Sequence, residues 1–329
     1  MAGGQKLYHK LRGIRHPCAN SVDMLRFITV RLLSALVVAL GVVSIVFLLI
    51  HLVPGDPVEV MLGEAATPAD RAALRSALGL DQPLGRQWFG YIGDLLQGDL
   101  GTSLHTRRPI AELLFERIGA TFTLGLGALA VSVFVGFPFG ITAALRQGSA
   151  IDHGTLVLST VAVSVPSFWL GPLLILLFSI ELGWLPVSGR EEAGALVLPA
   201  FTLGLGLAAL LARMVRAALL QVLGEEYLRT ARAKGLTEPR VILRHALRNA
   251  ALPVLTVLGL QLGAVLAGAV ITETIFQWPG VGSLTVESIQ RRDYPVVQAC
   301  VLLISLAYVL VNTVTDICCG VLDPRVRLA

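Results

Sequence analysis

The sequence predicts an all-α integral membrane protein with six transmembrane helices and a helical extracytoplasmic insertion after the first of them. Three observations carry this. The chain of 329 residues is 55% hydrophobic and only 15% charged, with a mean hydropathy of +0.75, which leaves too little polar surface for a soluble globule. Six apolar runs come close to the roughly twenty residues needed to cross hydrocarbon. Between the fourth and fifth of those runs lies a basic, helix-forming stretch of about thirty residues, Gly224 to Pro253, where a plain connector needs about two to eight.

The first residues are basic and run into an apolar stretch far longer than the core of a cleavable signal peptide, so that stretch stays in the membrane as a span. The predicted spans are Phe27 to Val53, Thr121 to Leu145, Thr155 to Ile180, Ala195 to Ala212, Ala251 to Ile271 and Val296 to Ile317. The fourth is the shortest and continues as helix through Arg213, Met214 and Arg216, whose long side chains can snorkel to the headgroups. Seventeen Lys or Arg fall on the N-terminal side of the membrane, whereas the two short loops opposite carry only Arg190, Arg291 and Arg292. Both termini are therefore expected in the cytoplasm. The net charge of +4 follows from this topology and points to no nucleic acid.

The long segment Pro54 to Ala120 carries nine acids and six bases and should be folded. Within it, Pro68 to Leu78 reads as an amphipathic helix stopped by Gly79, and Pro83 to Leu96 as another, with Trp88, Phe89 and Tyr91 as interfacial anchors. Gly98, Gly101 and Pro109 then punctuate a loop before Ile110 to Ile118 leads into the second span. A second outside segment, Glu273 to Pro295, contains an aromatic turn at Trp278, Pro279, Gly280 and Gly282, followed by a short helix, Leu284 to Arg291. It serves either to anchor a turn at the interface or to form part of a substrate path. Cys18, Cys300, Cys318 and Cys319 follow no metal-ligand spacing and are expected as free thiols, with no metal site.

In the basic stretch, Glu226 to Lys234 and Pro239 to Asn249 form two amphipathic pieces that meet at Gly235. Gly235 ends the first helix, and Pro239 sits in the first turn of the second after a Thr237 cap. Eight Lys or Arg stand against three acids from Arg213 to Arg248. Such charge either anchors the topology or marks a docking surface. The spans argue for the second reading by what they lack. The second, third and fifth hold no ionisable residue in their cores, whereas ion-coupled carriers place such groups near the midplane. No Ser and His or paired carboxylates share a predicted depth, which counts against an intramembrane enzyme. The dipeptide Gly-Lys never occurs, so a phosphate-binding loop is excluded. Energy for a pump must come from a separate ATPase.

At this point the motifs carry a resemblance. The stretch EYLRTARAKG followed by RVILRHALRNAALP resembles the cytoplasmic Glu-Ala-Ala loop of permease subunits of bacterial ABC importers, in the branch serving dipeptides, oligopeptides and nickel. Further matches run along the chain: HLVPGDP at His51 to Pro57, LGLDQPL at Leu78 to Leu84, GDLGTS at Gly98 to Ser103, PSFWLG at Pro166 to Gly171, TETIFQWPGVG at Thr272 to Gly282, RDYPVVQ at Arg292 to Gln298 and LDPR at Leu322 to Arg325. The sequence departs from the general loop by placing Arg229, Thr230 and Ala231 where Glu, Ala and Ala stand, so an acidic contact rests on Glu225 or Glu226. Members of the branch resemble the chain from near Met24, which makes the preceding residues look like an extension.

The resemblance implies the type I ABC importer transmembrane fold, an inner-membrane location and no catalysis by this chain. ATP and Mg would be bound by two partner ATPase subunits. A paralogous permease would form the other half of the path, and an extracytoplasmic binding protein would deliver substrate. It divides the chain into a cytoplasmic extension (1–26), the first span (27–53), the insertion (54–120), a core with five spans and the coupling loop 213–250 (121–317), and a cytoplasmic tail (318–329). The helix presented to the ATPase would be Tyr227 to Lys234, with Glu226, Arg229, Arg232 and Lys234 in polar contacts, Tyr227, Leu228 and Ala231 in packing, and Gly235 allowing the turn. Ser164, Ser167, Thr256, Gln261 and Asn312 are the polar candidates for the path, each of a type that also bonds between packed helices. Trp278, Pro279, Gly280 and Gly282 are candidates for binding-protein docking or a gate. Di- or oligopeptides are the expected cargo; nickel or a metallophore is the alternative, and an ion-coupled carrier or membrane enzyme a distant one.

Overall fold

The computed structural model describes residues 21–52, 58, 67–77 and 81–322. The 1–20 region with Cys18, residues Val53 to Pro57 of the HLVPGDP motif, the Gly79 stop and the tail after Leu322 with Arg325 and Arg327 lie outside the described residues.

Helix α1, Ser21–Leu52, begins earlier than expected and leaves Leu33, Leu36 and Val37 more than half exposed, as a span facing acyl chains requires. Two short helices follow, α2 at Pro68–Ala77 and α3 at Leu84–Leu96, the latter entered through Pro83. Ile110 to Ile118, expected to lead into the second span, is the start of one continuous helix α4, Ile110–Leu145. Its 36 residues make about 54 Å of helix, well beyond the roughly 30 Å of hydrocarbon, so its first turns stand outside the apolar layer.

The third apolar run is not one straight span. It is split into α5, Ala150–Ser164, and α6, Ser167–Leu174, which continues as a π-helical turn over Ile175–Glu181. The two halves are bent by 99°. Pro166 is the cause, because its ring bars the preceding residue from helical backbone, and Val165 is extended with ψ 117°.

Helix α7, Val197–Leu223, runs through Arg213, Met214 and Arg216 as expected. It lies against α4 at backbone contact distance, since a Cβ on Gly136 would come within 2.8 Å of the Ala208 carbonyl oxygen and one on Gly140 within 2.6 Å of that of Ala212. Small residues four apart are what lets two membrane helices approach this closely. Helix α8, Glu226–Ala233, is followed by α9, Glu238–Arg240, a π-helical turn at Val241–Ala246 and α10, Leu247–Ile275. The second amphipathic piece of the basic stretch is thus continuous with the fifth span, bent by 60° between Ala251 and Pro253. Helix α11, Val281–Gln290, precedes α12, Tyr294–Leu322. Among the described residues four helices are long and apolar enough to cross a membrane, or six spans if each bent pair counts as one.

Candidate functional site

The basic stretch presents α8 at one end of the bundle. Its apolar side chains turn inward: Leu228 is fully buried and Ala231 is 7% exposed, in a cluster with Leu211, Val215, Leu219, Val241 and Val254. The expected packing of Leu228 and Ala231 on a partner is therefore not what they do; they fasten α8 to its own chain. The outward face carries Glu226, Tyr227, Arg229, Arg232 and Lys234, all exposed. Arg229 pairs with Glu226 at 3.0 Å, Arg232 with Glu238 at 2.8 Å, and Asn249 donates to the Tyr227 hydroxyl at 2.7 Å. Gly235 has φ +79°, a left-handed turn that favours glycine, and its N–H donates to the Arg232 carbonyl at 2.9 Å. Thr237 occupies the cap position before α9 but makes no side-chain cap bond.

Beside this loop, α5 is tied to α7 by an ion pair. Arg216 donates from Nε to Asp152 Oδ1 at 2.5 Å and from Nη2 to Oδ2 at 2.7 Å, a bidentate arrangement that fixes geometry as well as charge. Gly148 N–H also donates to Oδ2 at 2.9 Å, and Ser149 caps α5. The Asp152 side chain is 3% exposed and that of Arg216 21%. Asp152 lies three residues before the third predicted run and was not singled out in the sequence; the Ser-x-x-Asp capping pattern at Ser149 was its available signal.

The opposite end is held by two buried carboxylates with no Lys or Arg within ion-pair distance among the described residues. Glu273, expected in the outside segment, sits in the last turn of α10 and is fully buried. It accepts from Thr121 Oγ1 at 2.6 Å and from Ser283 N–H at 2.9 Å, placing its carboxyl group at the first turn of α11, whose N–H groups have no partner within the helix. A Cβ on Gly280 or Gly282 would collide with the Glu273 carboxylate, so both glycines of the aromatic turn make room for this side chain. Val281 N–H donates to Thr121 Oγ1 at 2.8 Å. Trp278 is 2% exposed and donates from Nε1 to the Ala120 carbonyl at 2.8 Å. It is mostly an internal wedge; of the docking candidates Pro279 lines both outer clefts, one of about 590 Å³ with Arg190, Glu191 and Glu192 and one of about 340 Å³ with Arg117 and Glu287, and Trp278 reaches the second.

The second carboxylate, Asp293, is 3% exposed. It accepts from Ser103 Oγ at 2.5 Å, Leu104 N–H at 3.2 Å and His105 N–H at 3.3 Å. This explains two motifs at once: the end of GDLGTS and the start of RDYPVVQ meet across 190 residues. Gln298 of the same motif donates to the Val46 carbonyl at 2.9 Å, tying α12 to α1. Helix α3 joins the same end through Trp88, whose Nε1 donates to Ser44 Oγ at 3.1 Å, and through a Tyr91–Phe47 ring pair at 5.7 Å. Burial there pushes the Tyr91 phenol up to about 12.

The five polar path candidates are not brought together. Gln261 is 2% exposed, and its amide is spent between Ser132 Oγ, which donates to Oε1 at 3.0 Å, and the Leu207 carbonyl, which accepts from Nε2 at 2.8 Å. It cross-links α4, α7 and α10. Thr256 faces outward, its hydroxyl 3.4 Å from Cys319 Sγ. Asn312 lines a cleft between α1 and α12 with Arg31, Tyr308 and Asp316. Ser164 and Ser167 flank the bend between α5 and α6, with Phe168 and Trp169 59% and 54% exposed beside them.

A polytopic bundle with a short helix held out on a basic loop and a broken span is the architecture of a transport permease. Residues 136–328 match the binding-protein-dependent transport system inner membrane component and residues 24–125 its N-terminal counterpart. The chain belongs to this family: it is a multi-pass inner-membrane permease subunit of an ABC importer. It is 46% identical over 333 residues to the di/tripeptide transport system permease protein DppB of Pseudomonas aeruginosa, covering 92% of this chain and 99% of that one. It is 43% identical over 336 residues to the dipeptide transport system permease protein DppB of Escherichia coli K12 and 43% over 304 residues to the glutathione transport system permease protein GsiC of Salmonella choleraesuis, with 92% of this chain and 99% of each relative covered. In fold it is similar to the inward-facing MetNI methionine ABC transporter, with a TM-score of 0.53 at 17% identity over 65% of this chain and 97% of that one.

Proposed function

We propose that this permease carries di- or oligopeptides along a path that passes the bend between α5 and α6. The supporting observation is the exposed break itself. Helix α5 has 15 residues, about 22 Å of rise, so the interruption falls within the roughly 30 Å apolar layer. Broken backbone at membrane depth is tolerated only where protein covers it or water lines it. Ser164, Phe168 and Trp169 are nevertheless exposed on this chain. That surface therefore belongs against a second permease subunit or along a wet path, and Ser164 and Ser167 stand on it.

Energy enters through α8, whose exposed Glu226, Tyr227, Arg229, Arg232 and Lys234 meet an ATPase subunit that binds ATP and Mg, with Gly235 setting the angle. Two such ATPases, a paralogous permease and a substrate-binding protein complete the assembly, with both termini in the cytoplasm. Peptides are the cargo because the relatives named above serve di/tripeptides, dipeptides and glutathione, and the domain division set out from the sequence applies. The test is uptake by the complete reconstituted transporter of a labelled dipeptide, a labelled hexapeptide and nickel, each with its binding protein. Saturable, ATP-dependent peptide uptake is expected; uptake of nickel and not of either peptide removes the peptide reading.

A further inference from the structure

We infer that α3 lies in the lipid headgroup layer at the Leu52 end of α1, with Phe89 and Leu96 inserted among the upper acyl carbons. Three observations point there. First, the level of α3 is set by α1: Trp88 bonds Ser44 and Tyr91 stacks on Phe47, both in the last two to three turns of α1, where a span that begins near Met24 reaches the far headgroups. Second, the face that meets α1 leaves another apolar stripe uncovered. Phe89 and Leu96, 71% and 84% exposed, are seven residues apart and so lie on one line, about a quarter turn from Trp88 and Leu95. Arg86, Gly90 and Asp94, all exposed, occupy the remaining face. Third, α1 itself exposes apolar side chains beside the residues that α3 contacts, with Ile45 63% and Leu48 41% exposed.

A helix held at the end of a span, with one face on the span, an apolar face about a quarter turn away and a polar face on the remaining side, has the amphipathic make-up of an interfacial helix. The three aromatic anchors that the sequence grouped together are thereby separated: Trp88 and Tyr91 hold protein, and Phe89 holds lipid. The inference does not depend on the transported substrate.

The test places a nitroxide at Phe89, Leu96 or Asp94 through a bioorthogonal amino acid, leaving the native cysteines untouched, in the complete transporter reconstituted in phospholipid nanodiscs. Collision rates with oxygen and with a water-soluble nickel chelate are then compared. Frequent oxygen and rare nickel collisions at Phe89 and Leu96, with the reverse at Asp94, are expected. Frequent nickel collisions at Phe89 and Leu96 would mean water, and rare collisions with both agents would mean that another protein covers the stripe; either overturns the inference.

Discussion

The two ends of the bundle stabilise buried carboxylates in different ways. At the end that carries the insertion, Glu273 and Asp293 are satisfied by hydroxyls and backbone N–H groups alone, drawn from α4, α11 and the 103–105 turn. At the end that carries the basic loop, Asp152 takes a guanidinium from another helix. Dipoles fixed in the backbone hold a carboxylate only while several elements keep their places, so the first end is a single block. At the second end the charge-assisted tie runs from one helix to one other, α5 to α7, and α8 packs on that same α7 through Leu228.

The largest effect expected is at Glu273. Glu273→Ala leaves Thr121 Oγ1 and the Ser283 N–H without their buried acceptor, at about 1–3 kcal/mol for each, and thermal unfolding of the purified assembly should register it. Glu273→Gln should lose less; equal losses would show that shape and not acceptor capacity holds that end. Next comes Gly235→Pro, which cannot adopt φ +79° and removes the donor to Arg232. Together with the charge reversal Arg232→Glu, which faces Glu238, it should abolish uptake while the subunit stays in the membrane and ATP hydrolysis continues. Wild-type uptake in both variants would remove α8 from the coupling path.

Exchanging Asp152 and Arg216 should restore part of the folded yield that either single substitution loses. A failure of the exchange to rescue would mean that the Gly148 and Ser149 contacts, not the ion pair, fasten α5. The smallest effect is expected for Tyr227→Phe, which removes the Asn249 bond at about 0.5–1.5 kcal/mol on an exposed face; uptake at rising temperature compared with wild type reads it. A loss of uptake as large as that of Gly235→Pro would show that the hydroxyl contacts the ATPase itself.

Legibility in the sequence followed the range of the interactions. The apolar runs, the Gly235 turn and the amphipathic character of α8 are local properties of length, spacing and side-chain type, and each stands in the structure where its residues put it. The break at Val165 was written in Pro166, but a continuous apolar run concealed it. Gln261 and Trp278 show the same limit: a polar or aromatic side chain in an apolar setting says that it needs a partner, not whether that partner is a substrate or another helix.

The sequence by itself determined a membrane bundle of this family, with a short amphipathic helix before the turn at Gly235, because hydropathy and backbone preference act residue by residue. Only the tertiary structure decided which polar groups meet. Ser103 reaches Asp293 across 190 residues and Thr121 reaches Glu273 across 152, and such pairings depend on the approach and rotation of whole helices, which no local pattern encodes.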